Sequence, residues 1–184
     1  SSETPAAVSA TSRTRGLSTI ELLCAASVAL TAAGVSLDGM GDLIQAQRLK
    51  AAGAELESEL QLARSMAIAG SQPVRLAIQQ TAQGTCTLIH TGPKNACVCK
   101  ADGLPMCEGD AAPLHMNLHE AGRGVSHLST KASLAFSAEL GTVTPTATLK
   151  LADTKGRALH LVVNVMGRVR SCSPGARLSG QAAC

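Results

Sequence analysis

At 184 residues, with one Phe and neither Trp nor Tyr, the chain has the length of one domain plus an appended helix. Its core must come from Leu, Val, Ile, Ala and Met, and ligand modes that need aromatic stacking, such as the base platforms of single-strand binders, are disfavoured. Net charge is only +3, but Lys and Arg against Asp and Glu stand at five to seven in residues 1–70, five to five in 71–140 and six to one in 141–184. Such an excess at one end suits an acidic partner, with nucleic acid and anionic lipid the usual candidates.

Residues 22–37 carry no charge, and 17–37 supply the ~20 mainly apolar residues a spanning helix needs, provided Glu21 is tolerated. Arg13 and Arg15 flank this run on its N-terminal side and place that side in the cytoplasm. A secretory signal peptide would carry its cleavage site after the apolar run, whereas the candidate here, Gly16, precedes it. A plain membrane anchor leaves Glu21 unexplained, because a carboxylate inside an apolar span is costly and by default functional.

The stretch Arg15-Gly16-Leu17-Ser18-Thr19-Ile20-Glu21-Leu22-Leu23 resembles the prepilin processing motif, departing from it in having Leu17 where the family usually has Phe. The resemblance implies a leader over 1–16 cut by prepilin peptidase after Gly16, with Leu17 as the mature N-terminus. It also implies that Glu21 pairs with the freed amine of a neighbouring pilin subunit during assembly. The expected location is the inner membrane, single-pass with the N-terminus cytoplasmic and the head periplasmic, and then the pilus at the cell surface.

Asp38-Gly39-Met40-Gly41-Asp42 should loosen the helix, since each interior Gly costs ~1 kcal/mol relative to Ala. Beyond it Leu49, Ala52, Leu56, Leu60, Ala63 and Ala67 recur every three or four residues as one apolar stripe, with Glu55, Glu59 and Arg64 read as lying off it. Gly70 and Pro73 mark the stop. The period then becomes two: Val74, Leu76 and Ile78 alternate with Arg75, Ala77 and Gln79, and strands are predicted at 85–90, 133–137, 142–144, 146–152 and 157–165. A helix over 17–70 followed by strands over 71–184 predicts an α+β head with antiparallel sheet. No phosphate loop, nucleophile elbow or metalloprotease motif is present, and an enzyme is not expected.

The segments 54–68 with Gln72-Pro73-Val74, then 136–142, and above all Gly167-Arg168-Val169-Arg170-Ser171-Cys172-Ser173-Pro174, resemble the FimT/GspH minor pilins and pseudopilins. That resemblance implies a type IV pilin fold, a long N-terminal helix packed on an antiparallel sheet. In the FimT type it implies DNA capture for natural transformation through the matching Gly167, Arg168 and Arg170, whereas GspH pseudopilins of type II secretion lack this basic motif as a rule.

In extended backbone Arg168 and Arg170 project from one face, ~6.5–7 Å apart, with Val169 on the other. Two guanidiniums so placed engage successive phosphates with bidentate hydrogen bonds, and Gly167 leaves room for a close backbone approach. Lys155, Arg157 and Arg177 would extend the patch if the fold gathered them. Binding of this kind is led by phosphates, dependent on salt and nearly blind to sequence; the rival is a structural or assembly role without DNA, for which two exposed Arg are merely a solvated face.

Seven cysteines suit an oxidising compartment. A Cys172–Cys184 bond would close the tail and hold the loop containing Arg177 beside the Arg pair. Among Cys86, Cys97, Cys99 and Cys107, a 97–99 bond is geometrically strained, leaving either 86–97 with 99–107 or 86–99 with 97–107. A zinc site drawing on His90, His115 and His119 is disfavoured by the Cys-x-Cys spacing; no metal or other cofactor is expected, and the histidines are expected at the surface or an interface.

Overall fold

The computed structural model describes residues 18–100, 104–176 and 178–184, with the side chains of 29–39 and 176 outside that description. The expectations attached to Gly16, Leu17 and Arg177 therefore concern positions outside the described residues. The chain divides into two compact units, one ending at Gly41 and one comprising Asp42–Cys184.

Helix α1 (Thr19–Ala69) begins in the first unit and includes the glycine-bearing stretch 38–42, where the unit boundary falls. Glu21 lies exposed in its first turn, its carboxylate accepting a hydrogen bond from the Ser18 amide at 3.4 Å. An acid there complements the positive end of the helix dipole. Among the described residues no helix is long and apolar enough to cross a membrane, and the span expected over 17–37 includes positions outside that set.

In the second unit the stripe behaves as its spacing requires. Leu49, Leu56, Leu60, Ala63 and Ala67 are buried and Ala52 packs beside them, each Leu contributing about 1.5–3 kcal/mol by leaving water. Gly53 sits mid-helix at some cost, but an added Cβ there would strike Leu159, so its absence lets the sheet close on the helix. Glu59 departs from expectation: it is buried, because 56, 59, 60 and 63 share one helical face and its charge does not alter that geometry. The helix ends in a Schellman arrangement, with Gln72 N–H donating to Ala67 O, Ser71 N–H donating to Ile68 O, and Ser71 rather than Gly70 in the left-handed region at φ 50°.

Among the described residues eleven antiparallel strands follow: β1 (Val74–Thr81), β2 (Gly84–Thr91), β3 (Cys97–Cys99), β4 (Pro105–Cys107), β5 (Pro113–Glu120), β6 (Val125–Ser129), β7 (Ser133–Phe136), β8 (Val143–Thr144), β9 (Ala147–Asp153), β10 (Ala158–Val163) and β11 (Val169–Cys172). They form one sheet in the order β5-β2-β1-β7-β8, a second in the order β11-β10-β9-β6, and the hairpin β3-β4. Inner-face residues of both large sheets join the helical stripe in one core that includes Leu76, Ile89, Phe136, Leu149, Leu161 and Val163.

The strands β3 to β6 and β11 are additions to the sequence expectation. The β3-β4 hairpin covers the outer face of the first sheet, where Ala77, Leu88 and Cys97 make a smaller second core. This is why β2 is buried at seven successive positions rather than alternately. Gln79 fastens the lid: its Nε2 donates to Cys97 O at 3.0 Å and its Oε1 accepts from Cys99 N at 2.8 Å. Of the open pairings, the structure takes 86–99 with 97–107: Cys97 and Cys107 face each other across the hairpin with Cα atoms 4.0 Å apart, which leaves Cys99 for Cys86 of β2. Cys172–Cys184 also forms, as expected.

Replacing both Cys86 and Cys99 by Ala removes a cross-link closing a 13-residue separation. The expected loss is ~2–4 kcal/mol of unfolding free energy, read as a lower denaturant midpoint; an unchanged midpoint would show that the lid needs no such fastening.

Candidate nucleic-acid interface

The motif Gly167-Arg168-Val169-Arg170 lies on the β10–β11 hairpin. Asn164 and Arg168 close its turn: Asn164 N–H donates to Arg168 O at 3.1 Å, Gly167 N–H to Asn164 O at 2.9 Å, and Arg168 N–H to Asn164 Oδ1 at 2.9 Å. Gly167 takes φ +70°, and a Cβ there would lie 2.7 Å from Gly141 O and 3.3 Å from Arg64 Cδ. The close backbone approach that Gly167 permits is thus internal, to the neighbouring turn and the end of α1.

Arg168 and Arg170 are exposed, whereas Val169 between them packs against the core, the alternation expected of extended backbone. Among the described residues neither arginine has a carboxylate at ion-pair distance. Arg170 stands opposite Val162, which stands opposite Thr148, while the next outward-facing row runs from Cys172 through His160 to Lys150. Exposed Lys150 therefore shares the outer sheet face with Arg170. The His160 imidazole is held below its usual pKa by burial and then by the Lys150 charge. The sequence supplied the Lys150 charge but not its place; only the pairing of β9 with β10 reveals that.

Lys155 and Arg157 do not join this group. They lie on the β9–β10 turn, at the other end of β10, and are committed to acids. Lys155 Nζ meets Asp42 Oδ1 at 2.8 Å; Arg157 reaches Asp42 Oδ1 at 3.2 Å and, through Nε, Asp153 Oδ2 at 2.6 Å. Asp42 and Arg64 mark the two ends on α1, 22 residues or roughly 33 Å apart along the axis. The tail is corrected likewise. Ser173 Oγ donates to Ala158 O at 2.9 Å, Leu178 is buried in the core, and Gly180 lies beside Lys50 of α1. The Cys172–Cys184 bond thus holds the described tail toward the start of β10, away from Arg168. Around Arg168 itself, Leu140, Val165 and Met166 are each more than half exposed.

Asp153 has no exposed side-chain surface. Burial alone would raise its pKa, but hydrogen bonds from the Arg157 side chain and from the Arg157 and Lys155 amides, with the Arg157 charge, hold it below the ordinary aspartate value.

The zinc set considered from sequence does not assemble. Cys97 and Cys99 are disulfide-bonded, His90 is buried with Nδ1 donating to Thr91 O at 2.8 Å, and His115 is exposed. His90 and His119 are buried, against the expectation of histidines at the surface or an interface, and His127 is buried as well. His119 instead meets Glu55 and Glu59 of α1, the three offering ligand atoms within 4.8 Å of one another.

The family described as type II transport protein GspH matches residues 52–167, ending at the Gly of the basic motif. No curated protein sequence matches the chain. Among solved structures, two crystal forms of the type IV minor pilin FimU from Pseudomonas aeruginosa superpose with TM-scores of 0.53 and 0.51. Both share 20% identity and cover 70% and 69% of this chain and 94% and 98% of FimU. The minor pseudopilin EpsH from the type 2 secretion system of Vibrio cholerae gives 0.48 at 15% identity, over 70% of this chain and 98% of EpsH. At such identity the likeness to FimU speaks for the fold alone.

Gly167→Ala is expected to cost ~1–2 kcal/mol for the left-handed backbone alone, with more from the approach to Gly141 O, measured by denaturant unfolding. Asp153→Asn is expected to cost ~1–3 kcal/mol by stranding the Arg157 donors. Because the folded-state pKa of Asp153 is depressed, that deficit is full above the ordinary value of 3.8 and closes as pH falls through its own lower value. Thermal melts of both proteins across acid pH test this; a deficit independent of pH would contradict it.

Proposed function

The chain belongs to the GspH family, as a minor type IV pilin of the GspH/FimT type, and on that premise we propose that it binds extracellular DNA through Arg168 and Arg170 during natural transformation. One observation carries the reading: two neighbouring guanidiniums stand exposed, without acidic partners among the described residues, at the end of the head farthest from Asp42. Lys150 extends the site along the outer sheet face, and Lys155 and Arg157 are left out of it. Few phosphate contacts per subunit give weak binding, which repeated presentation along a pilus strengthens by avidity.

The N-terminal part of the proposal follows the family. The 1–16 leader is removed by prepilin peptidase after Gly16, the helix from Leu17 holds the protein in the inner membrane through 17–37, and Glu21 pairs with the new amine of a neighbouring subunit as the head, 71–184, is carried outward. Minor pilins associate with other pilin subunits in the pilus or pseudopilus. A second reading, an assembly component or secretion pseudopilin without DNA binding, draws on Leu140, Val165 and Met166, an exposed apolar cluster of the kind a protein partner covers.

The test is binding of a DNA duplex by the full chain in detergent across a salt series. Arg168→Ala with Arg170→Ala is expected to weaken binding and flatten the log–log salt dependence by ~1.8, the share of two phosphate contacts. Lys155→Ala is expected to leave that slope unaltered. If the double variant binds with unaltered affinity and slope, the DNA site lies elsewhere or does not exist.

A further inference from the structure

Between α1 and the edges of the two large sheets, the head buries a set of lone-pair donors that packing leaves incomplete. β5 is an edge strand of the first sheet and β6 of the second, joined by a short turn over Ala121–Arg123. Glu55 and Glu59, one helical turn apart on α1, meet His119 of β5: Glu59 Oε1 lies 3.3 Å from His119 Nε2, and Glu55 Oε2 lies 3.7 Å from His119 Nδ1. His127 of β6 stacks on His119 with ring centroids 4.6 Å apart. Asn117 Nδ2 donates to Glu55 Oε1 at 2.7 Å and to Glu59 Oε1 at 2.6 Å, fixing both carboxylates from behind.

Two atoms of this cluster lack partners. Glu59 is 4% exposed and its Oε2 has no hydrogen-bond donor; His127 is 8% exposed and its Nε2 has none either. A buried carboxylate oxygen and a buried imidazole nitrogen each cost free energy when unpaired, and such atoms are uncommon in folded proteins. Here the Glu59 carboxylate lies beside two further potential ligands, Glu55 and His119, and a cleft of about 520 Å³ lined by Glu55, Asn117, His119 and His127 gives access from solvent. A cation held among Glu55, Glu59 and His119 would satisfy the carboxylate oxygen.

We infer that Glu55, Glu59 and His119 bind one divalent transition-metal ion of the zinc class, which clamps α1 to the edge of the first sheet. The donor set selects the metal. Imidazole with carboxylate suits zinc and its neighbours, whereas calcium and magnesium take oxygen ligands. The geometry is close to what is required: ligand atoms on a tetrahedral zinc stand roughly 3.4 Å apart at bonds of ~2.0–2.1 Å, and those of Glu55, Glu59 and His119 already lie within 4.8 Å. Asn117 keeps its hydrogen bonds to Glu55 Oε1 and Glu59 Oε1 when the metal enters against the free Glu59 Oε2, the supporting role that orients ligands in metal sites generally. The role is structural: every ligand comes from the unit comprising Asp42–Cys184, and the site joins α1 to β5, two elements that are distant in sequence.

The experiment uses the full chain in detergent with Cys24→Ser, since Cys24 is free and exposed and its thiol would compete. After removal of bound metal by EDTA and dialysis, ZnCl2 alone is titrated by calorimetry and the thermal midpoint is followed. One equivalent should bind and the midpoint rise, and Co2+ should give the strong visible bands of a four- or five-coordinate site. Glu55→Gln, at a half-exposed position where folding is safe, should weaken zinc binding by more than the ~10–100-fold that loss of a merely supporting group brings. His119→Gln should abolish it, and Lys155→Ala should leave it intact. Absence of stoichiometric zinc uptake by the parent chain overturns the site, as does uptake that Glu55→Gln leaves unchanged, and the latter result stands even if His119→Gln does not fold.

Discussion

The apolar stripe of α1 is the surface on which the head is built. From Leu49 to Ala67 it runs 18 residues, roughly 27 Å of helix, and the inner faces of two sheets close on it from Val74 of β1 to Val163 of β10. Gly53 is retained within the helix because Leu159 needs its space, a local cost accepted for the joint between helix and second sheet. The length of the stripe also fixes what can meet what: groups that contact α1 near Asp42 are a helix-length from groups that contact it near Arg64.

That separation divides the C-terminal charge into two kinds. At one end Lys155 and Arg157 face Asp42 and Asp153, and their charge serves to tie the β9–β10 turn to the helix. At the other, Arg168 and Arg170 face solvent, positioned by a turn whose left-handed Gly167 packs on Gly141 and Arg64. The described cations of 141–184 are thus not one patch. Only those whose neighbours lack carboxylates are available to an anion, and burial and pairing rather than sequence proximity decide which they are.

The helical stripe was legible from its period, and β1, β2 and β7 to β10 from alternation and turn residues. β3 to β6 were not, because a short strand whose task is to cover another sheet has little pattern of its own: Val98 and Met106 face outward while the cysteines face in. The disulfide pairing depended on a hairpin register that no spacing encodes. Glu59 shows a different failure. Its position on the stripe was readable, but its charge argued for solvent, and the partners that keep it inside, Asn117 and His119, lie about sixty residues away. The motif Gly167-Arg168-Val169-Arg170 was legible as residues, whereas the exclusion of Lys155 and Arg157 and the proximity of Lys150 required the fold.

The central claim, that the exposed end of the β10–β11 hairpin meets DNA, is tested most directly by NMR titration of the labelled full chain with a short duplex. Shifts should concentrate on Arg168, Arg170 and the amides of 166–171, with a smaller response at Lys150 and none at the Lys155 turn. Shifts centred on Lys155 and Arg157, or no response at Arg168 and Arg170 under saturating DNA, would contradict it.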